Sequence, residues 1–219
     1  MPHPVHSIEG NGIADSVVIH PMCLVDYPPS RSPSLARVPV TARETRIGHR
    51  TELMPFALVY RSAWIGADCL IGNHASIREG ATIGDRCIIG RNVTINYEAV
   101  IEDEVRIQDG AHITGGCRIG RGSFIGVNVT TSNDRRREIV DYQWVGATPP
   151  VIGRRCLIGS GANIIPGVRI GDGAVIGAGA LVTKDVPAGG TVLGDPSRIR
   201  NSPVTSLEPA YTYWQEQAG

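Results

Sequence analysis

Aliphatic residues return every six positions through most of this chain. Ile47, Leu53, Val59, Ile65, Ile71, Ile77, Ile83, Ile89, Ile95, Ile101, Ile107, Ile113, Ile119 and Ile125 form an unbroken run of 14. The register resumes at Ile152, Ile158, Ile164, Ile170, Ile176 and Val182, and it is visible earlier at Ile13, Ile19 and Val25. Four places after most of these aliphatics stands a small residue, as at Ala57, Ala63, Cys69, Ala75, Ala81, Cys87 and Ala99. In extended chain, residues two apart share a face. The small residue and the next aliphatic therefore both point inward, and the residue between them points outward. The rest of each six must turn a corner, where Gly and Asn tolerate φ > 0. Three such sides make an 18-residue coil. Stacked as parallel strands ~4.8 Å apart, the coils bury an aliphatic column along each side.

Composition agrees with a core built from aliphatics. Gly makes up 27 of the 219 residues and aromatics only 5%, against a usual Gly share of ~7%. The length suits one domain, or one with a small appendage, at ~100–200 residues per domain. Formal net charge is zero, which gives no general electrostatic grip on nucleic acid. No apolar run reaches the ~18 residues of a membrane span. The opening MPHPVHSIEG has neither the cationic nor the apolar region of a secretion signal. The expectation is a soluble, cytoplasmic protein with no nucleic-acid or membrane partner.

All five cysteines, Cys23, Cys69, Cys87, Cys117 and Cys156, stand four places after a repeat aliphatic. They are expected to act as small apolar residues facing inward. No CxxC is present, so neither a thiolate zinc site nor a redox pair is expected. Two segments break the period. Residues 27–46 are rich in Pro, Ser and Arg, with Arg31, Arg37, Arg43 and Arg46 either solvated or gripping phosphates. Residues 131–151 leave the coil after Ile125 and return by Ile152, a gap of 27 that is no multiple of six. The polar start, the aromatics Tyr142 and Trp144 and the Pro-Pro end suit an ordered functional loop.

The outward positions sort into stacks. Leu70, Ile88, Arg106 and Phe124 form an apolar stack, assigned to the side of Ile65, Ile83 and Ile119 and expected to be covered by another subunit. Trp64 and Val100 add to it on the neighbouring side. Ser76, Thr94, His112 and Thr130 form a polar stripe that leads to the root of the 131–151 loop. His112 lies 18 residues before Thr130, so it is expected one coil beneath that root, facing out.

The repeat resembles that of the hexapeptide-repeat acyltransferases, over roughly residues 11–30 and 47–195. The resemblance implies an all-β fold, a left-handed parallel β-helix. Its hand comes from the resemblance alone, since the usual crossover rule predicts the opposite. The expected organisation is a coil domain over 1–196, with loops near 27–46 and 131–151, and a tail or short helix over 197–219. Family sites lie between subunits of a homotrimer, with acyl-CoA along the groove between neighbouring coils. Many members use a histidine as general base, which makes His112 the catalytic candidate.

The stretch Gly126-Val127-Asn128-Val129-Thr130-Thr131-Ser132-Asn133-Asp134-Arg135 resembles the GPNVTFTND segment of nucleotide-sugar N-acetyltransferases, with Val127 replacing Pro. The resemblance implies substrate contacts from Asn128, Thr130, Asn133, Asp134 and Arg135, residues that equally suit turn chemistry at a loop start. Gln108-Asp109-Gly110 stands where that group often has QNN. Asp109 is therefore a second catalytic candidate, and Asp109 or Asn128 orienting an already neutral amine is the alternative to a His112 base. The closing GAGALVTKDVP resembles the family's CoA-bordering segment. It implies that Gly161, Ala162, Gly179 and Ala180 admit pantetheine to the backbone and that Lys184 and Arg198 (with Arg200) meet phosphates. The implied reaction transfers acetyl from acetyl-CoA to the amine of a nucleotide-linked amino sugar, without a metal. An O-acetyltransferase, a γ-carbonic-anhydrase-like zinc enzyme and a non-catalytic coil are the alternatives. The zinc reading needs clustered histidines, whereas His49, His74 and His112 are widely spaced. His3, His6 and His20 have weaker positional claims.

Overall fold

The computed structural model describes residues 12–30, 43–134 and 148–194, together with the backbone of 198–200. The chain winds as a left-handed parallel β-helix of about 7 turns. Three parallel sheets form its faces. Face one contains Arg46–Ile47, Trp64–Ile65, Thr82–Ile83, Val100–Ile101 and Arg118–Ile119. Face two contains Leu70–Ile71, Ile88–Ile89, Arg106–Ile107 and Phe124–Ile125. Face three contains Ser76–Ile77, Thr94–Ile95, His112–Ile113 and Thr130–Thr131. Through the unbroken run each strand pairs with the one 18 residues on, so each aliphatic sits on the aliphatic of the next coil. Ile71, Ile89, Ile107 and Ile125 are all at most 1% exposed, and so are Ala75, Cys87, Val93 and Ala99. The inward pair expected from the spacing is the core.

The apolar stack Leu70, Ile88, Arg106, Phe124 lies on face two, beside Ile71, Ile89, Ile107 and Ile125, and not on the side of Ile65. An outward residue shares the strand of the aliphatic that follows it. Leu70, Ile88 and Phe124 are 36–40% exposed. Trp64 is covered by its own chain. The Arg43 and Arg46 guanidinium groups lie 4.3 and 5.1 Å from its ring centroid, and its Nε1 donates to Glu44 O at 2.8 Å. Arg43 also donates to Ser62 O at 3.1 Å and to Thr82 Oγ1 at 3.2 Å, which spends it on structure. Arg31 and Arg37 lie outside the described residues.

Glycine serves two different needs. Left-handed φ falls at the fourth place of each six, counted from the aliphatic, as at Gly110 (φ 70) and Asn128 (φ 55), but also at Arg50 and Glu104. The glycine directly after the aliphatic has another cause. A Cβ on Gly72, Gly90 or Gly126 would lie under 3.0 Å from backbone of the next coil. That glycine lets coils stack on faces one and two.

The cysteines are inward, with Cys69, Cys87, Cys117 and Cys156 buried and Cys23 half-buried. They are more than apolar filler. Cys69, Cys87 and Cys156 donate to the carbonyls of Gly84, Glu102 and Gly171 at 3.1–3.2 Å. Thr51 makes the same bond to Gly66 O at 2.7 Å. A thiol or hydroxyl at this place clips one coil to the next.

Near the C-terminal end, Thr191–Leu193 joins face two, and Arg198–Arg200 pairs with it antiparallel. The segment expected to be a tail or short helix thus begins as a strand. Residues 201–219 lie outside the described part.

Candidate functional site

Both excursions leave the coil at one corner. Residues 27–46 run from the Leu24–Tyr27 strand of face three to Arg46–Ile47 of face one, and residues 131–151 run from Thr130–Thr131 to Val151–Ile152. Thr131 is the unexpected member. It stands six after Ile125, is 1% exposed, and fills the core position where the repeat has an aliphatic. Its Oγ1 accepts from Thr114 N at 2.8 Å and donates to His112 O at 3.3 Å. The loop root is therefore tied to the histidine strand by a buried hydroxyl. Thr148 N donates to Asn133 O at 3.0 Å and closes the neck of the loop.

His112 is outward, half-buried, and in register with Thr94 below and Thr130 above. The expected polar stripe is present. Asn96 Nδ2 lies 3.3 Å from His112 Nε2. Burial lowers the imidazole pKa, because desolvation disfavours the cation. A neutral imidazole beside hydroxyls and an amide can accept a proton near neutral pH.

Asp109 does not join it. Its Oδ1 accepts from Arg91 N at 2.8 Å, and its Oδ2 takes the Arg91 guanidinium at 2.6 and 2.9 Å. That guanidinium holds the carboxyl below its usual range. Asp85, Asp103, Asp172 and Asp185 cap a backbone N–H of the preceding coil in the same way, at 2.8–3.0 Å. Asp109 is a clip between coils, and its carboxyl is engaged by Arg91 rather than by His112.

The loop-start residues separate. Thr130 is exposed on the stripe, next to Asn163 of the following coil. Asn128 turns the corner before it, with its N–H on Asp109 O at 3.0 Å. Asn133 Nδ2 donates to Gly115 O at 3.0 Å, a structural bond at the loop neck. Asp134 is exposed, and Arg135 lies outside the described residues, as do Tyr142 and Trp144.

Among the residues expected near CoA, Gly161 and Gly179 turn the corner into face three at φ 69 and 68, with nothing within 4 Å of an added Cβ. Ala162 and Ala180 are 0% exposed. Their side chains belong to the core, so they offer an outside ligand no side-chain contact. Lys184 is exposed at the far corner of face three. Arg198 has its backbone opposite Leu193.

Sequence reasoning missed Asn96 and Thr131, and a signal existed for both. On faces one and two the place after the aliphatic is mostly Gly. On face three it reads Tyr60, Arg78, Asn96, Thr114, Ser132. That face has room for side chains where the others press coil on coil. Thr131 continues the spacing of six.

His20 meets Glu52 at 2.6 Å, His49 meets Ser16 at 3.3 Å, and His74 stacks on Phe56. Among the described residues no helix is long and apolar enough to cross a membrane.

The family described as bacterial transferase hexapeptide (six repeats) matches residues 62–97, 98–133 and 149–184. The bifunctional protein GlmU of Acidithiobacillus ferrooxidans is 35% identical over 154 residues, 69% of this chain and 31% of that protein. A 2,3,4,5-tetrahydropyridine-2,6-dicarboxylate N-acetyltransferase of Staphylococcus aureus is 51% identical over 53 residues, 24% of this chain and 22% of that protein. The chain thus spans about a third or less of these two relatives. The UDP-N-acetylglucosamine acyltransferase structure from Francisella novicida superposes with a TM-score of 0.63 at 23% identity, over 92% of this chain and 70% of that one. At that identity the likeness concerns the fold.

Proposed function

Since this chain belongs to the hexapeptide-repeat family of bacterial transferases, we propose that it is an acyl-CoA-dependent acyltransferase that moves acetyl from acetyl-CoA to the amine of a nucleotide-linked amino sugar. The observation that carries this reading is His112. It is an outward, half-buried imidazole at the centre of a polar face, one coil below the root of the larger excursion. The likeness to an N-acetyltransferase supports amine acylation. The segment Gly126–Arg135 supports a nucleotide-sugar acceptor.

In this reading the acceptor amine lies between His112 and the Asn128–Asp134 loop root and attacks the thioester carbonyl. His112 takes the proton, a backbone N–H near the final coils steadies the oxyanion, and CoA leaves as the thiol. CoA runs along the later coils, with pantetheine at the open corners of Gly161 and Gly179 and its phosphates toward Lys184. Lys184→Ala is expected to weaken CoA binding only modestly, as for an exposed ion pair, with calorimetry as the readout. No change at all would move the phosphates elsewhere.

A CoA-release assay across nucleotide-linked amino sugars, with hydroxyl sugars as controls, tests the whole reading. Release with hydroxyl sugars alone would replace N- by O-acylation. Release with neither class would defeat the proposal.

Face two supports a homotrimer with parallel coil axes. A monomer would leave Leu70, Ile88 and Phe124 wet, at ~25 cal/mol per Å² of apolar area. Light scattering at micromolar concentration is expected to give three times the 23.4 kDa chain mass. A single-chain mass would defeat the assembly.

A further inference from the structure

Asn96 and His112 project from neighbouring strands of face three, and the amide Nδ2 stands 3.3 Å from imidazole Nε2. With its NH₂ end turned to the ring, the amide donates and Nε2 accepts. The single N–H of the neutral ring then sits on Nδ1. We propose that Asn96 is a positioning residue that selects this tautomer of His112, leaving Nε2 as the nitrogen that takes the proton of the acceptor. The proposal rests on the acyl-transfer reading above and assigns its proton path.

The surroundings leave the choice to hydrogen bonding. The strands on either side present Thr94 and Thr130 in register with His112, and neither titrates. Thr114 follows on the histidine strand itself and is 5% exposed. Of the charged groups on this face, Arg78 is paired with Glu79 at 2.9 Å one coil below Asn96, and Asp134 follows the strand above. Inside the coil, Cys117 is buried, and burial pushes its thiol up to about 12, so it stays neutral.

At 3.3 Å the hydrogen bond from the Asn96 amide is long compared with the usual ~2.9–3.0 Å. An incoming amine N–H can displace it from Nε2. As the amine nitrogen bonds to the acetyl carbon, its proton passes to Nε2. The carbon–sulfur bond then breaks, and the departing CoA thiolate recovers that proton.

Nitrogen-15 NMR of histidine-labelled protein, without substrate, reads the tautomer directly. Above the imidazole pKa, His112 is expected to show a protonated Nδ1 and a bare Nε2. In Asn96→Asp the carboxylate accepts, so the proton is expected on Nε2 and the pKa rises by about one unit. In Asn96→Ala the Nδ1 preference is lost. A resting protein with its proton on Nε2, or a tautomer unchanged in both variants, overturns the proposal whether or not acyl transfer occurs. Kinetics then test the proton path. In Asn96→Asp the neutral ring holds its hydrogen on Nε2, so the plateau of kcat is expected to fall about 10²–10⁴-fold, as for loss of the base, with KM for acetyl-CoA unmoved. A plateau that stays in place while the tautomer switches overturns proton transfer through Nε2, and with it the base role of His112, while leaving the fold and the transferase family untouched.

Discussion

Replacing His112 by alanine is expected to lower kcat by about 10²–10⁴-fold, the usual effect of losing a general base. CoA binding should change far less, because the proposed path of CoA along the later coils does not include the histidine. The pH profile carries the decisive sign. Desolvation disfavours the imidazolium, so the folded pKa lies below the ordinary ~6.5. The neutral base therefore persists to lower pH than a free histidine, and the acidic limb of kcat should fall below that value. In His112→Ala the limb should vanish. A limb that survives reports titration of the amine substrate itself, and near-normal kcat with that limb would defeat the base assignment. The same shift bears on stability. The unfolded chain takes up this proton first, so His112 withdraws stability as pH falls through the unfolded value and has no effect well above it.

Ile107→Ala is expected to cost about 2–5 kcal/mol, read as a lower urea midpoint. Ile107 is 0% exposed and sits between Ile89 and Ile125 in the column of face two. Each coil touches only its neighbours, so no distant side chain can move in to fill the space. Ile107→Val, which removes one methyl group, should cost about 0.5–1.5 kcal/mol. If the alanine variant loses less than the valine range, the column is not packed as described.

The spacing of six made the coil legible, because an inward aliphatic is demanded at each side and few other residues fill that place. It made His112 legible as well, since its outward position follows from counting. Asp109 shows where counting stops. Its sequence neighbours suggest chemistry, but its side chain turns down the stack to Arg91, a direction that only the pairing of coils reveals. Ala162 and Ala180 were legible as inward residues, since each stands four places after an aliphatic and both are 0% exposed. Thr131 was hidden for the opposite reason, as a polar residue where the pattern invites an aliphatic. Its hydroxyl is satisfied by two backbone groups of the histidine strand, which the sequence does not display.

A stack of parallel strands has an inherent hazard. Its last rung offers the same row of free donors and acceptors that every earlier rung used to bind the next, so a second molecule could continue the ladder without limit. The strand Arg198–Arg200 runs against the others on Thr191–Leu193. A reversed strand presents the wrong pattern of bonds for another coil of this winding. On face two the chain thus carries its own stop, and growth there is finite.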